Sequence, residues 1–386
     1  MRLRLLQSLR LATLLILAAA SSLAAQGPAL YTRWINYTPA NGFPEGEVYC
    51  VTVDGNRVWA GTANGLALIE NGRVKRVFTT ADGLAGDAVM SVAVDKQTGD
   101  VWVGTFGGLS RYSGGRFKNY TNLSSGVAND LVYGVAVQGR YVWVATAAGV
   151  NRFDTYTGAW SIWNETNAPF NEPWCYAVSL SKKKVYVGVW GGGVLVYDLA
   201  GHYWKPYRDP DGSMETVLYR NQGLIHNIVS GIAYNHETHM FWASTYFGLS
   251  GFDGRNWHNY LTKDSGLASD FINAVQTHGN EVWACTQKGL SEFDYKTKIW
   301  VTYRPANWRA LDAAKAVKDG RGEIIVTRPD GNKSKLETPT SPAHNYILNL
   351  AFQGKDIWVA TAQGLSHGII QSQQKGKINE SSTNGR

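Results

Sequence analysis

The chain has 386 residues, 44% of them hydrophobic and 15 of them Trp, which is enough apolar surface for a sizeable core. Its net charge is +7, but Arg2, Arg4 and Arg10 carry three of those charges ahead of an apolar run, and the tail from Gln371 carries +2 more. The remainder is close to neutral and its basic residues are scattered, which excludes the basic stripe a nucleic-acid binder needs.

In chain order, the first element is a leader. The three arginines precede Leu11 to Ala20, and Ser22-Leu23-Ala24-Ala25 follows. A basic start, a short apolar run and small residues predict a signal peptide over residues 1–25. The run falls short of the ~20 apolar residues that span a bilayer. No later stretch is long and apolar enough to span, so a periplasmic or secreted protein is expected.

Beyond the leader one phrase repeats. Val58-Trp59-Ala60-Gly61-Thr62-Ala63-Asn64-Gly65-Leu66 returns around Trp102, Trp143, Tyr186, Trp242, Trp283 and Trp358, and faintly around Ile325. A glycine stands six residues after each aromatic: Gly65, Gly108, Gly149, Gly192, Gly248, Gly289 and Gly364, with Gly331 in the faint copy. The steps are 43, 41, 43, 56, 41, 42 and 33 residues, and a period near 40–45 with short strands marks propeller blades.

The third copy shows the unit best. Val132 to Val137 alternates as one strand, Tyr141 to Thr146 is a second, Val150 to Asp154 a third and Ala159 to Trp163 a fourth. The repeated Trp on the second strand is expected to fill the wedge between blades. Arg33-Trp34-Ile35-Asn36-Tyr37-Thr38 looks like a fourth strand with no blade before it, and the last repeat lacks one after Ile370. Pairing the two closes the ring and removes its open edges.

The fold class is therefore all-β, a single propeller over residues 30–370 with four-stranded blades. Seven blades are favoured; an eighth requires residues 304–343 to be a degenerate blade rather than an insertion. As an insertion this segment is expected on or beside the loop face. The polar tail, residues 371–386, reads as disordered. Cys50, Cys175 and Cys285 fall in strands of different blades and are expected to be buried and unpaired. No zinc spacing, haem attachment or calcium loop occurs, so no metal or cofactor is expected.

The phrase hydrophobic-Trp-hydrophobic-Gly-Thr-x-x-Gly-Leu with an aromatic fourth strand resembles the two-component regulator propeller repeat family. Gly104-Thr105-Phe106-Gly107-Gly108-Leu109-Ser110-Arg111-Tyr112, Phe117 to Thr121 and the turn Gly266-Leu267-Ala268-Ser269-Asp270 carry the likeness. The resemblance implies an extracytoplasmic sensor of the kind found in membrane-bound histidine kinases, some of which detect carbohydrate fragments. It supplies no catalytic residues. Read as one ring without a membrane helix or kinase, the chain is expected to be a monomer that works with a membrane sensor kinase or another envelope protein.

A ligand would sit where the turns between second and third strands meet the loops entering each inner strand. Those positions hold Phe106, Trp190, Tyr246 and Phe247 in the first set, and Trp174, His226 and His344 in the second. Aromatic faces beside polar groups suit a small glycan or another small ligand. Asp87, Asp130 and Asp270 recur at one repeat position, which points to turn capping. The reading favours a non-catalytic binding and sensing module. A lyase or hydrolase using His226 and His344 at the channel mouth, or a protein-docking scaffold, would be the alternatives.

Overall fold

Each of the seven plain copies of the phrase folds as an antiparallel sheet whose second strand is buried on both faces, as in Val101–Thr105 and Phe241–Thr245. The computed structural model describes residues 28–210, 212, 222–310 and 320–370. The chain divides into a short N-terminal unit, residues 1–31, and a large one, residues 32–386. The leader, the tail and most of the connection between Tyr207 and Asn221 lie outside the described residues.

Among the described residues there are seven sheets, hence seven blades. Their inner strands are Val48–Asp54, Val89–Val94, Val132–Gln138, Cys175–Leu180, Val229–Tyr234, Ile272–His278 and Ile347–Gln353. Each touches its neighbours in sequence, and the seventh touches the first, which closes the circle. Polar side chains stitch it together: the Val135 amide donates to Ser91 Oγ at 3.0 Å and the Tyr234 amide to Ser179 Oγ at 3.0 Å.

The repeated indoles are core. Trp59 packs with Leu84, Val89 and Val92 of the following blade. Trp59, Trp102, Trp143, Trp242 and Trp283 are among the largest fully buried side chains. The small residue two places on allows the close approach: a Cβ at Gly61 would stand 2.5 Å from Cys50 Sγ and 2.6 Å from the Val89 carbonyl oxygen. All three cysteines are free and buried, and burial pushes the Cys50 thiol up to about 12.

The N-terminal strand, Tyr31–Tyr37, lies beside Gly364–Ile370 as the outer strand of blade seven. Trp34 and Tyr37 are buried, and Tyr37 sits 5.3 Å from Trp358, ring to ring. The Trp34 amide donates to Thr340 Oγ1 at 2.7 Å, and Asn36 Nδ2 donates to the Ser341 carbonyl at 3.1 Å.

Two expectations are corrected. The favoured seven blades form among the described residues, but blade six is six-stranded rather than four-stranded, and the described part of the 304–343 segment does not lie at the loop face. Gly322–Thr327 pairs with the outer strand Trp300–Pro305, and Lys333–Thr338 pairs with it in turn. These two strands of the 304–343 segment therefore extend a blade edge instead of covering the loop face. The cause is visible in the pairing: Tyr303 stands opposite Ile324, and Glu323 bonds both Arg304 and Lys335. Lysines at 333 and 335 then blunt the new edge. Residues 311–319, which read as readily as helix, are outside the described residues.

The thicker blade buries a carboxyl. Glu292 faces Trp283 across the sheet, where other blades set Arg111, Arg152 or His367 against their Trp. It accepts the Tyr303 hydroxyl at 2.7 Å, and burial, with Glu281 adding, raises its pKa to about 8. The unfolded chain gives up this proton near 4.5, so stability is full below that pH and is lost as pH rises through 8. Thermal melts between pH 5 and 8.5 should show a falling melting temperature that Glu292→Gln flattens. An unchanged slope in the variant would assign the effect to another group.

Candidate functional site

The loop-face end of each inner strand carries the same irregularity. Pairing slips by one residue between Val132 and Gly134, between Cys175 and Ala177, and at the equivalent place in all seven blades. Such a bulge leaves its extra residue out of register and re-aims the side chain. The residues so placed include Tyr49, Tyr133 and Tyr176, each half-buried.

Around these bulges the rings form an unbroken run. Phe106 meets Tyr133 at 5.4 Å, Tyr133 stacks on Tyr176 at 4.5 Å, and Tyr176 meets Trp190 at 5.0 Å. Trp190 stands perpendicular to Tyr246 at 4.9 Å, and Tyr246 stacks on Phe271 at 3.9 Å. Six rings thus cross from blade two to blade six. Trp174 flanks them, 6.5 Å from Tyr176, and is 45% exposed; Phe106 is 43% exposed. Burial and the neighbouring hydroxyls push Tyr176 up to about 12, and burial raises Tyr133 and Tyr246. These phenols stay protonated and can both donate and accept hydrogen bonds.

Trp190 owes its place to an extra residue. The glycine that turns blade four into its third strand is Gly193, not Gly192: it has φ +78°, and its amide donates to the Asn227 carbonyl at 3.0 Å. The other blades turn with two residues between these strands; blade four uses three, Trp190-Gly191-Gly192.

The histidines have a different task. His226 Nδ1 accepts the Ile228 amide and His344 Nδ1 accepts the Tyr346 amide, both at 3.0 Å. Asn129 Oδ1 and Ser269 Oγ accept the equivalent amides in blades three and six. Both histidines are buried, and burial lowers their pKa values. Each is held neutral with its remaining proton on Nε2. His226 packs on Phe247 at 4.3 Å, so these two form a pair of their own outside the run of rings. The recurring aspartates cap turns: Asp87 and Asp270 accept the Thr80 and Thr262 amides at 2.7 Å, and Asp130 accepts that of Asn122 at 2.7 Å.

Of the candidates read from sequence, Phe106, Trp174, Trp190 and Tyr246 come together, whereas His226, Phe247 and His344 belong to turns. Tyr133, Tyr176 and Phe271 were not found by sequence reasoning. Their signal is positional, since they stand one residue after or before the buried residue that opens an inner strand. Among the described residues no group of three or more His, Cys, Asp or Glu is placed to hold a metal.

Fold and face together define a seven-bladed propeller with an aromatic loop surface. No family model and no curated protein sequence matches the chain. Among solved structures it is similar to the extracellular domain of BT4673 from B. thetaiotaomicron, described as a hybrid two component system. The identity is 16% and the TM-score 0.62, over 89% of this chain and 40% of that one. The extracellular domain of BT3049 from the same organism gives 16% and 0.54, over 88% and 53%. Virginiamycin B lyase from Staphylococcus aureus gives 13% and 0.58, over 88% and 99%. At these identities the likeness shows the fold; sensors and a lyase share it.

Proposed function

We propose that this chain is a non-catalytic, extracytoplasmic ligand-binding propeller that senses a small glycan at its loop face. The observation that carries the reading is the run of six rings from Phe106 to Phe271. Sugar rings present C–H faces that stack on aromatic faces while their hydroxyls pair with phenols such as Tyr133 and Tyr176. Support for a signalling context comes from the sensor domains that share the fold. On this reading a membrane sensor kinase or envelope protein receives the ligand-bound propeller. No helix among the described residues is long and apolar enough to cross a membrane. A thermal-shift screen with oligosaccharides and cell-wall fragments tests the proposal. At least one should stabilise the protein, and a flat response across the panel counts against it.

A lyase or hydrolase would need an acid–base group, and the only candidates from sequence were His226 and His344. Both spend Nδ1 on a backbone amide, a task Asn129 performs in blade three. The His226→Asn, His344→Asn double variant should therefore fold and show the same background as wild type in a lyase and hydrolase screen. Activity present in wild type and lost in the variant would restore the enzyme reading.

A further inference from the structure

On the face opposite the aromatic run, blades four and five part around a cleft of about 490 Å³. Its walls are the turn Ser181-Lys182-Lys183-Lys184 and, from blade five, His236 and His239; Tyr186 and Tyr234 also line it. The sequence explains why the space exists. Tyr186 is the one plain repeat whose second-strand aromatic is not Trp, and its smaller ring stacks on Tyr234 at 5.1 Å and 16°. The third-strand residue facing it is Val196, where blades two, three and seven place Arg111, Arg152 and His367. Neither a full indole nor an internal cation fills the wedge.

The lining is one-sided in charge, while Glu237, between His236 and His239, lies by Gly279 of blade six and outside the lining. Lys182, Lys183 and Lys184 are exposed in succession, and none of the lining residues is acidic. Asp198 stands opposite Lys184 across the sheet and offsets that lysine. His239 is held at φ +59° with its Nδ1 3.2 Å from the Tyr234 hydroxyl, which fixes the far wall. Three successive lysines beside two imidazoles give the cleft a positive potential that favours a multivalent anion.

We propose that this cleft binds a phosphate or sulfate group, free or carried on a small molecule, with Lys182 and Lys183 as its principal charge partners. It is a second site, independent of the glycan surface. The test follows the ring C–H signals of His236 and His239 by NMR. Sodium phosphate, sodium sulfate or a sugar phosphate is titrated at constant ionic strength, against sodium chloride. Wild type should give a saturable shift with an oxyanion and none with chloride. The Lys182→Ala, Lys183→Ala variant, altered only on an exposed turn, should bind at least tenfold more weakly. Tyr186→Trp should weaken binding by filling the cleft, and Trp190→Ala should leave it unchanged. Tighter binding of the sugar phosphate would identify an ester as the source, and equal binding the free anion. An unsaturable response in wild type, or the same affinity in the lysine variant, overturns the site.

Discussion

Deleting residues 30–40 should lower the melting temperature sharply and replace the single transition with a broad one. The deletion removes the outer strand of blade seven, its ladder with Gly364–Ile370, and the buried rings of Trp34 and Tyr37. Two such rings bury ~150–250 Å² each, so at about 25 cal/mol per Å² their burial sets an upper bound of roughly 8–12 kcal/mol. Allowing for a compact unfolded chain, a loss of roughly 6–10 kcal/mol is expected. The freed edge should also promote association between molecules. Single substitutions locate the effect: Trp34→Ala and Tyr37→Ala should each cost about 3–5 kcal/mol. A truncated chain that melts with the intact one would refute closure by this strand.

The second large effect concerns binding. Replacing Trp190 and Tyr246 together by Ala should abolish ligand binding at the loop face while costing less stability than the loss of two core rings. Both rings are half-buried and sit on turns, and their contact is edge to face. The variant loses three ring contacts, Tyr176–Trp190, Trp190–Tyr246 and Tyr246–Phe271, at roughly 0.5–1.5 kcal/mol each, still below the cost of two core aromatics. The break would also divide the aromatic run into two separate pieces, Phe106–Tyr133–Tyr176 and Phe271. Isothermal titration of the best ligand from the screen, beside a thermal melt, separates the two roles. Unchanged affinity would move the site elsewhere, and a drop of many degrees would make these rings part of the core.

Much of the fold can be read from one phrase because its demands are local. A turn glycine, a buried indole and a small residue two places on recur wherever a blade must pack on the next, so the copies at Trp59 and Trp283 look alike. The fate of Gly322–Thr327 is not local. Ile324-Ile325-Val326 suits an inner strand as well as an edge strand, and the partner that decides between them, Trp300–Pro305, is separated from it by a long connection. Nothing in its composition distinguishes the two.

The site divides in the same way. Trp174 and Trp190 stand out because no framework position needs a ring there. Tyr133 and Tyr176 do not stand out, since a strand tolerates Tyr anywhere and the bulge that re-aims them has no residue signature. His226 and His344 each spend one nitrogen on a turn, and the reason is chemical. An imidazole nitrogen can cap a turn as well as an amide or hydroxyl oxygen, so the residue type that suggests catalysis here replaces Asn129 and Ser269.

The central claim is tested most directly by a crystal structure with the strongest glycan ligand from the screen. The account predicts density for the sugar against Trp190 and Tyr246, with ring faces parallel and hydroxyls near Tyr133 or Tyr176. Density only on the opposite face, in the lysine-lined cleft between blades four and five, would contradict it.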